Sequence, residues 1–88
     1  MNRVNYVFVI NKHLMRAELL HYEGRFAEEE YERRSFIKKI DHYTEFKKNH
    51  PRIYIYGISW LARSLARQGR LVEAELEARR ALNAALGH

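Results

Sequence analysis

The chain has no cysteine and only one proline among its 88 residues. Without cysteine, it cannot form a disulfide framework, a thiolate metal site or a thiol nucleophile. Long apolar runs are also missing, because the longest, residues 6–10, is far too short to span a bilayer and no small-residue cleavage site follows it. We therefore expect neither a secreted disulfide scaffold nor a membrane segment, and we predict a cytoplasmic protein with no membrane partner.

What the sequence has instead is an internal repeat. Residues 17–37 and 62–82 align without a gap at an offset of 45 residues, and 8 of the 21 aligned positions are identical. A fixed period between about 20 and 50 residues is typical of stacked supersecondary units whose core lies between neighbours. We therefore predict a single domain over residues 1–88 with two such units, at about 5–49 and 50–88, the second of them truncated.

Glycine and proline divide these units into helices. Gly24 and Gly69 each follow a helical pattern and precede an arginine and an apolar residue, which is where a tight helix-to-helix turn places a left-handed residue. Pro51 favours the first turn of a new helix, because it lacks an N–H and has a preset φ. We predict an all-α fold of tandem antiparallel hairpins, with helices at about 6–22, 26–48, 51–67 and 71–86.

The first helix is predicted against its local propensity. Residues 4–10 are β-branched and aromatic, which on propensity alone favours a strand. When the turn glycines are aligned, however, Asn5 and Tyr6 fall on His50 and Pro51. The repeat therefore assigns this segment to the opening of a helix, with Asn5 as its N-cap.

Several charged side chains of the second helix are predicted to face solvent. We interpret Glu28, Glu29 and Glu30 as a solvated acidic first turn that complements the helix dipole. Glu29 and Arg33 stand at i,i+4 spacing, which on a solvated helix face contributes about 0.2–0.5 kcal/mol. We expect these residues to add solubility and a little helix stability.

The second unit carries motifs of a known repeat family. They are His50-Pro51, Trp60-Leu61-Ala62, Gln68-Gly69-Arg70-Leu71, Glu73-Ala74-Glu75 and Arg80-Ala81-Leu82. Together they resemble the tetratricopeptide repeat in its kinesin-light-chain-like variety, and the match is better over residues 51–82 than over 14–37. In the first unit, Arg16, Glu29 and Phe36 stand where the family has apolar or small residues. The resemblance implies an α-solenoid fragment, two repeats of a longer array.

The resemblance also implies a binding groove. Ligands of this family lie in a concave groove lined by the first helix of each hairpin. The corresponding positions in this chain are Asn11, Leu14, Glu18, Tyr22, Tyr56, Ser59, Arg63 and Arg67. Arg63 and Arg67, one turn apart, would hold carboxylates of an acidic peptide. The family's clamp for a C-terminal carboxylate needs a lysine and an asparagine where this chain has Leu14 and Glu18, so we expect that clamp to be absent.

No pattern in the sequence indicates catalysis or metal binding. The serines Ser35, Ser59 and Ser64 lie in helical patterns, without the context of an activated nucleophile. Four of the five histidines form two pairs, His13 with His21 and His42 with His50, at a spacing of eight residues, which is too long for the i,i+4 geometry that chelates zinc. We interpret them as surface or boundary residues and expect no enzyme, no cofactor and no metal site.

The charge leaves more than one partner class open. The chain carries a net charge of +5, and a basic stretch runs through Arg33, Arg34, Lys38, Lys39, Lys47, Lys48 and Arg52. These cations are spread around a helix and no nucleic-acid-binding motif accompanies them. We therefore predict a non-catalytic module that binds a protein or peptide segment, with an acidic segment as the candidate ligand. The alternatives are self-association through the open repeat ends and non-specific binding of nucleic acid.

Overall fold

The computed structural model describes the backbone of residues 3–87 and the side chains of residues 8–87. This part of the chain forms the helices α1 (Arg3–Tyr22), α2 (Phe26–His42), α3 (Thr44–Asn49), α4 (Pro51–Arg67) and α5 (Leu71–Leu86). The prediction of an all-α fold is confirmed, and residues 4–10 are helical rather than extended. The predicted N-cap is wrong, because α1 begins at Arg3 and Asn5 lies inside it.

The two turn glycines have the predicted left-handed conformation, with φ of 75° at Gly24 and 77° at Gly69. The two turns also share one hydrogen-bond pattern. Gly69 donates to the carbonyl of Ala66 and the next residue donates to that of Leu65, and the turn at Gly24 repeats both bonds. This is the Schellman arrangement, which satisfies the last carbonyls of the preceding helix.

Each turn joins two helices that lie antiparallel. In the first hairpin His13 contacts Glu32 and His21 contacts Glu29, so residue numbers fall on α1 as they rise on α2. In the second hairpin the guanidinium of Arg80, near the end of α5, donates to the hydroxyl of Tyr54, near the start of α4.

The hairpins meet where α2 packs against α4. Gly57 of α4 faces the ring of Phe36, and Ser64 donates from Oγ to the carbonyl of Phe26 at 3.1 Å. Gln68, just after α4, donates to Glu30 at 3.2 Å. The buried core that results is formed by Ile10, Phe36, Ile37, Ile40, Tyr54, Ile58, Leu61, Leu65, Ala74 and Ala81.

The predicted continuous helix over 26–48 is wrong. Helical geometry is interrupted at Tyr43 (φ −94°, ψ 76°), which separates α2 from α3. At this bend, Lys47 of α3 contacts one residue of α2 and one of α4. Its ammonium lies 2.8 Å from Asp41 and 4.2 Å from the ring centroid of Tyr54. The hydrogen bond to Asp41 raises the pKa of Lys47 above its ordinary value. After the bend, Phe46 packs against the core.

Candidate functional site

The exposed side of α4 carries most of the candidate site. Pro51 begins this helix, and Tyr54, Ile58, Leu61 and Leu65 turn its apolar side into the core. The opposite side is exposed to solvent except at Trp60, which is half-buried. We call this side the α4 face, and its side chains are Arg52, Tyr56, Ser59, Trp60, Arg63 and Arg67.

The arginines of the α4 face differ from the other arginines that the structure describes. Arg52, Arg63 and Arg67 form no ion pair with any described carboxylate, although all three are exposed. Every other arginine between residues 8 and 87 lies against at least one Asp or Glu; these are Arg16, Arg25, Arg33, Arg34, Arg70, Arg79 and Arg80. The α4 face therefore presents guanidinium groups whose charge-assisted hydrogen bonds are free for an external anion.

Trp60 is the aromatic centre of this face. The guanidinium carbon of Arg63 lies 5.1 Å from its ring centroid, and the Tyr56 ring is tilted against it at 5.9 Å. Trp60 also contacts residues of the first hairpin. The guanidinium carbon of Arg33 lies 4.8 Å from its ring centroid, and the His21 ring packs edge-on at a centroid distance of 5.2 Å. The indole is thus held in place by the fold while part of it stays accessible to solvent.

Two hollows open beside these residues. One, of about 470 Å³, is lined by Arg52, Ile55, Tyr56, Ser59, Trp60 and Arg63, and we call it the α4 hollow. Within it, Ser59 donates from Oγ to the carbonyl of Ile55 at 2.9 Å, which leaves the lone pairs of that oxygen as acceptors.

The other hollow lies between α1 and α4, and we call it the α1–α4 pocket. It has a volume of about 450 Å³ and is lined by Ile10, Asn11, Leu14, Phe36, Phe46, His50, Arg52, Ile53 and Tyr56. The walls are mostly apolar, while Asn11, His50 and Arg52 supply polar groups. Pockets of this size and character accommodate small ligands or single large side chains. Arg52 and Tyr56 border both hollows and make them neighbours.

The structure brings some of the predicted groove residues together. Asn11 and Leu14 meet Tyr56 in the α1–α4 pocket. Tyr56 also meets Ser59 and Arg63 in the α4 hollow.

The other predicted groove residues lie outside both hollows. Glu18 is exposed on α1. Tyr22 is 85% exposed, with only an edge contact to the neighbouring His21 ring. Arg67 extends the α4 face, and its guanidinium lies 5.5 Å from the ring centroid of Phe26.

Sequence reasoning missed Arg52 and Trp60 as site residues. Both stand four residues from Tyr56, so helical spacing places all three on one side of α4. That spacing could have found them. The absence of carboxylate partners for the arginines has no sequence signal, because it depends on which side chains the fold brings near.

A buried ion pair lies behind Trp60, and it contradicts the predicted solvated position of Glu29. Glu28 is exposed as predicted, and Glu30 is half-buried. Glu29 and Arg33 are 0% and 1% exposed, with Arg33 Nε 3.2 Å from the carboxylate. The other carboxylate oxygen lies 3.4 Å from His21 Nδ1. Among the described side chains, Nη2 of Arg33 has no hydrogen-bond partner. These residues are buried because they lie between α1 and α4 rather than on the outer surface of α2.

The histidines are placed in two ways. His13 and His21 are largely buried on α1, at 2.8 Å from Glu32 and 3.4 Å from Glu29 respectively. His42 and His50 are exposed. Across the side chains of residues 8–87, no group of three or more His, Cys, Asp or Glu converges as metal ligands would.

Glu30 joins α2 to the second hairpin next to this site. Burial alone would raise the pKa of Glu30, but hydrogen bonds from Arg34 and Gln68 and the charge of Arg70 outweigh it and lower the pKa below its ordinary value. The folded state therefore favours the ionised carboxylate at this junction.

Comparison with other proteins adds no relative, because no family model, curated protein or solved structure matches the chain. None of the helices over residues 3–87 combines the length and apolar character that a membrane crossing needs.

Proposed function

We propose that the chain is a tetratricopeptide-like interaction module that binds an acidic segment of another protein along the α4 face, without catalysis. The observation that carries this proposal is the set of arginines without carboxylate partners, Arg52, Arg63 and Arg67, which share one side of a single helix. Two further observations support the repeat architecture. Each hairpin has the same type of glycine turn between its helices, and the sequence repeats at an offset of 45 residues.

The spacing of these arginines determines the length of peptide that can contact all of them. Arg52 and Arg67 are 15 positions apart, which along a helix corresponds to about 22 Å. An extended peptide covers that distance with about seven residues. Between the arginines lie Tyr56 and Trp60, which offer flat apolar surface. The ligand we propose therefore has acidic residues at both ends and an apolar residue between them.

The apolar part favours a protein ligand over nucleic acid. The α1–α4 pocket next to Tyr56 is mostly apolar and can accept one large side chain. Nucleic acid would be held mainly through its phosphates by the cations, and that contribution weakens as salt rises. An acidic peptide anchored by an apolar side chain would persist at moderate salt, because burial of apolar surface is not screened.

The test is a titration followed by the fluorescence anisotropy of a labelled peptide. The probe is a short peptide with Glu and Asp flanking one central Phe, and the matched probe has Gln and Asn in their place. We expect only the acidic probe to bind. Replacing Arg63 and Arg67 together (Arg63→Glu, Arg67→Glu) is expected to weaken binding about tenfold or more, since charge reversal turns attraction into repulsion. Helical content should not change, because both side chains are exposed.

The control is a second double substitution with the same change in net charge, Lys38→Glu with Lys39→Glu on α2, where both lysines are also exposed. We expect it to leave binding nearly unchanged. An equal loss in both double variants would show that net charge alone attracts the probe, which contradicts the proposal. Salt-resistant binding to a defined oligonucleotide, indifferent to Arg63 and Arg67, would assign the nucleic-acid function instead.

A further inference from the structure

Alternating charges join α2 to the second hairpin. Glu30 pairs with Arg70, and Arg34 lies 3.8 Å from Glu73. Within each hairpin the same residues pair again, because Arg34 lies 2.9 Å from Glu30, and Arg70 binds Glu73. We call these four side chains the junction quartet. Each of its cations contacts both of its anions, so the quartet links the surfaces where α2 and α4 pack together.

The sequence repeat places a second copy of the α2 pair of this quartet elsewhere in the chain. At an offset of 45 residues, Glu30 and Arg34 correspond to Glu75 and Arg79 on α5. Glu75 and Arg79 already pair with each other at 2.8 Å, as their counterparts do. Their side chains are 63% and 71% exposed. We call this pair the α5 half.

The other side of the quartet is also duplicated. Counting 45 residues back, Arg70 and Glu73 correspond to Arg25 and Glu28 at the start of α2. Arg25 and Glu28 bind each other, again as their counterparts do. Their side chains are 51% and 57% exposed. We call this pair the turn half. Both halves of a second quartet thus exist, at opposite ends of the molecule and already in position.

Some apolar residues near the two halves are exposed, whereas the corresponding positions at the internal junction of α2 and α4 are buried. Ile37 of α2, packed beside α4, is 4% exposed, whereas its counterpart Leu82 on α5 is 57% exposed. Ser64 of α4 is 1% exposed, whereas its counterpart Leu19 on α1 is 62% exposed. The surfaces that would form a second junction are therefore apolar as well as charged.

We infer that the chain self-associates head to tail, with α5 of one copy docked on α1 of the next as α2 docks on α4 within the chain. The α5 half of one copy completes a junction quartet with the turn half of its neighbour. Leu82 is then covered by the surface that carries Leu19. This interface is heterologous, because it joins two different surfaces. Each assembly therefore keeps one free surface at each end, where another copy can bind.

One difference weakens the copied junction. Gln68 donates a hydrogen bond to Glu30 inside the chain, but its counterpart Glu23 has a carboxylate in place of the amide NH₂ group and does not replace that donor. We therefore expect the association between copies to be weaker than the internal junction, reversible and sensitive to salt.

Sedimentation velocity over a range of protein concentrations tests this inference on the whole chain. The mean mass is expected to rise with concentration beyond that of a dimer. Leu82→Glu places a charge on the α5 surface, and Leu19→Glu places one on the α1 surface. Each variant alone is expected to remain monomeric, since a head-to-tail chain needs both surfaces. Circular dichroism checks that both keep their helices, and both positions are exposed.

Mixing the two variants gives the decisive result. An equimolar mixture is expected to form a dimer with one chain of each kind, because each variant retains the surface that the other lost. If Leu82→Glu dissociates the assembly while Leu19→Glu has no effect, α5 pairs with itself and the inference is wrong. A wild-type chain that stays monomeric at every concentration would also overturn it.

A charge exchange tests the quartet itself. Glu75→Arg is expected to abolish the mass increase, because it faces the turn half with the wrong sign. Mixing it with an Arg25→Glu variant is expected to restore assemblies in which the two variants alternate, because the reversed pair forms at one interface and the unaltered Glu75 and Arg25 pair forms at the next. Failure of that restoration, with both variants folded, would show that the two halves do not meet.

Discussion

The guanidinium of Arg33 and the carboxylate of Glu29 form an ion pair from which solvent is excluded, with Nε and the carboxylate oxygen 3.2 Å apart. Both side chains lie between the two hairpins, next to Trp60 of the α4 face. A charge buried at this depth is tolerated only with its partner present. The pair therefore links the stability of the fold to the position of the indole.

Glu29→Ala is expected to destabilise the chain by about 3–5 kcal/mol, because it leaves the Arg33 guanidinium buried without a counter-charge. Chemical denaturation at low protein concentration measures the loss. The control is Glu75→Ala, which removes an exposed i,i+4 partner of Arg79 and is expected to cost under about 1 kcal/mol. Equal losses would show that Glu29 acts as a surface residue. Replacing the pair by Glu29→Leu with Arg33→Met should recover much of the loss, since no charge is then left buried.

Gly57→Ala is expected to destabilise the chain by about 1–3 kcal/mol. The added Cβ would lie 2.6 Å and 2.8 Å from two ring carbons of Phe36, so this buried ring would have to shift. In a Phe36→Leu background the same substitution should be neutral or stabilising, because alanine is the better helix former once the ring is gone. A Gly57→Ala cost that is the same in both backgrounds would contradict this account.

Gly69→Val is expected to destabilise the chain by about 1–3 kcal/mol, since a β-branched residue is strained at a φ of 77°. Apart from the two neighbouring residues, nothing lies within 4 Å of a Cβ at this position, so the cost comes from the backbone conformation. Gly87→Val is the control, because Gly87 has a φ of −74°. Thermal melts that give the two variants the same midpoint would show that the left-handed turn costs valine nothing.

Glu30 gives the stability of the chain a defined pH dependence. Its pKa in the folded chain lies below the ordinary value of 4.5, so its contribution is fully present above pH 4.5 and is lost as the pH falls through the lowered pKa. We expect the difference in unfolding free energy between the wild type and Glu30→Gln to be constant near neutral pH and to shrink below pH 4.5. Urea titrations at a series of pH values measure it, and a difference that stays constant in acid would contradict the assignment.

Local chemistry predicted much of the helical framework. Gly24 and Gly69 signalled the two turns because only a residue without a Cβ adopts their φ freely, and Pro51 signalled the start of α4. The repeat correctly overruled the β propensity of residues 4–10. These predictions succeeded because each signal acts over only a few residues or recurs at a fixed offset.

Other features could not be predicted, because they depend on contacts between helices that residue spacing in the sequence does not reveal. The break at Tyr43 has neither Gly nor Pro beside it and is accompanied by contacts of Lys47 with Asp41 and Tyr54. Glu29 and Arg33 have the spacing of a solvated surface pair, and only the position of the neighbouring helices shows that they are buried. The groove positions inferred from the resemblance converge only in part, because Tyr22 remains 85% exposed beyond the two hollows.

The central claim, that an acidic segment binds along the α4 face, is tested most directly by mapping the bound peptide with ¹H–¹⁵N correlation spectra. The acidic probe with one central Phe is added to the labelled chain, and amide and side-chain resonances are followed. We predict that the largest shifts form one continuous group that includes the Trp60 indole, the guanidinium groups of Arg52, Arg63 and Arg67, and the backbone amide of Tyr56. Shifts concentrated instead on the lysines of α2 and α3, with the indole unmoved, would contradict the account.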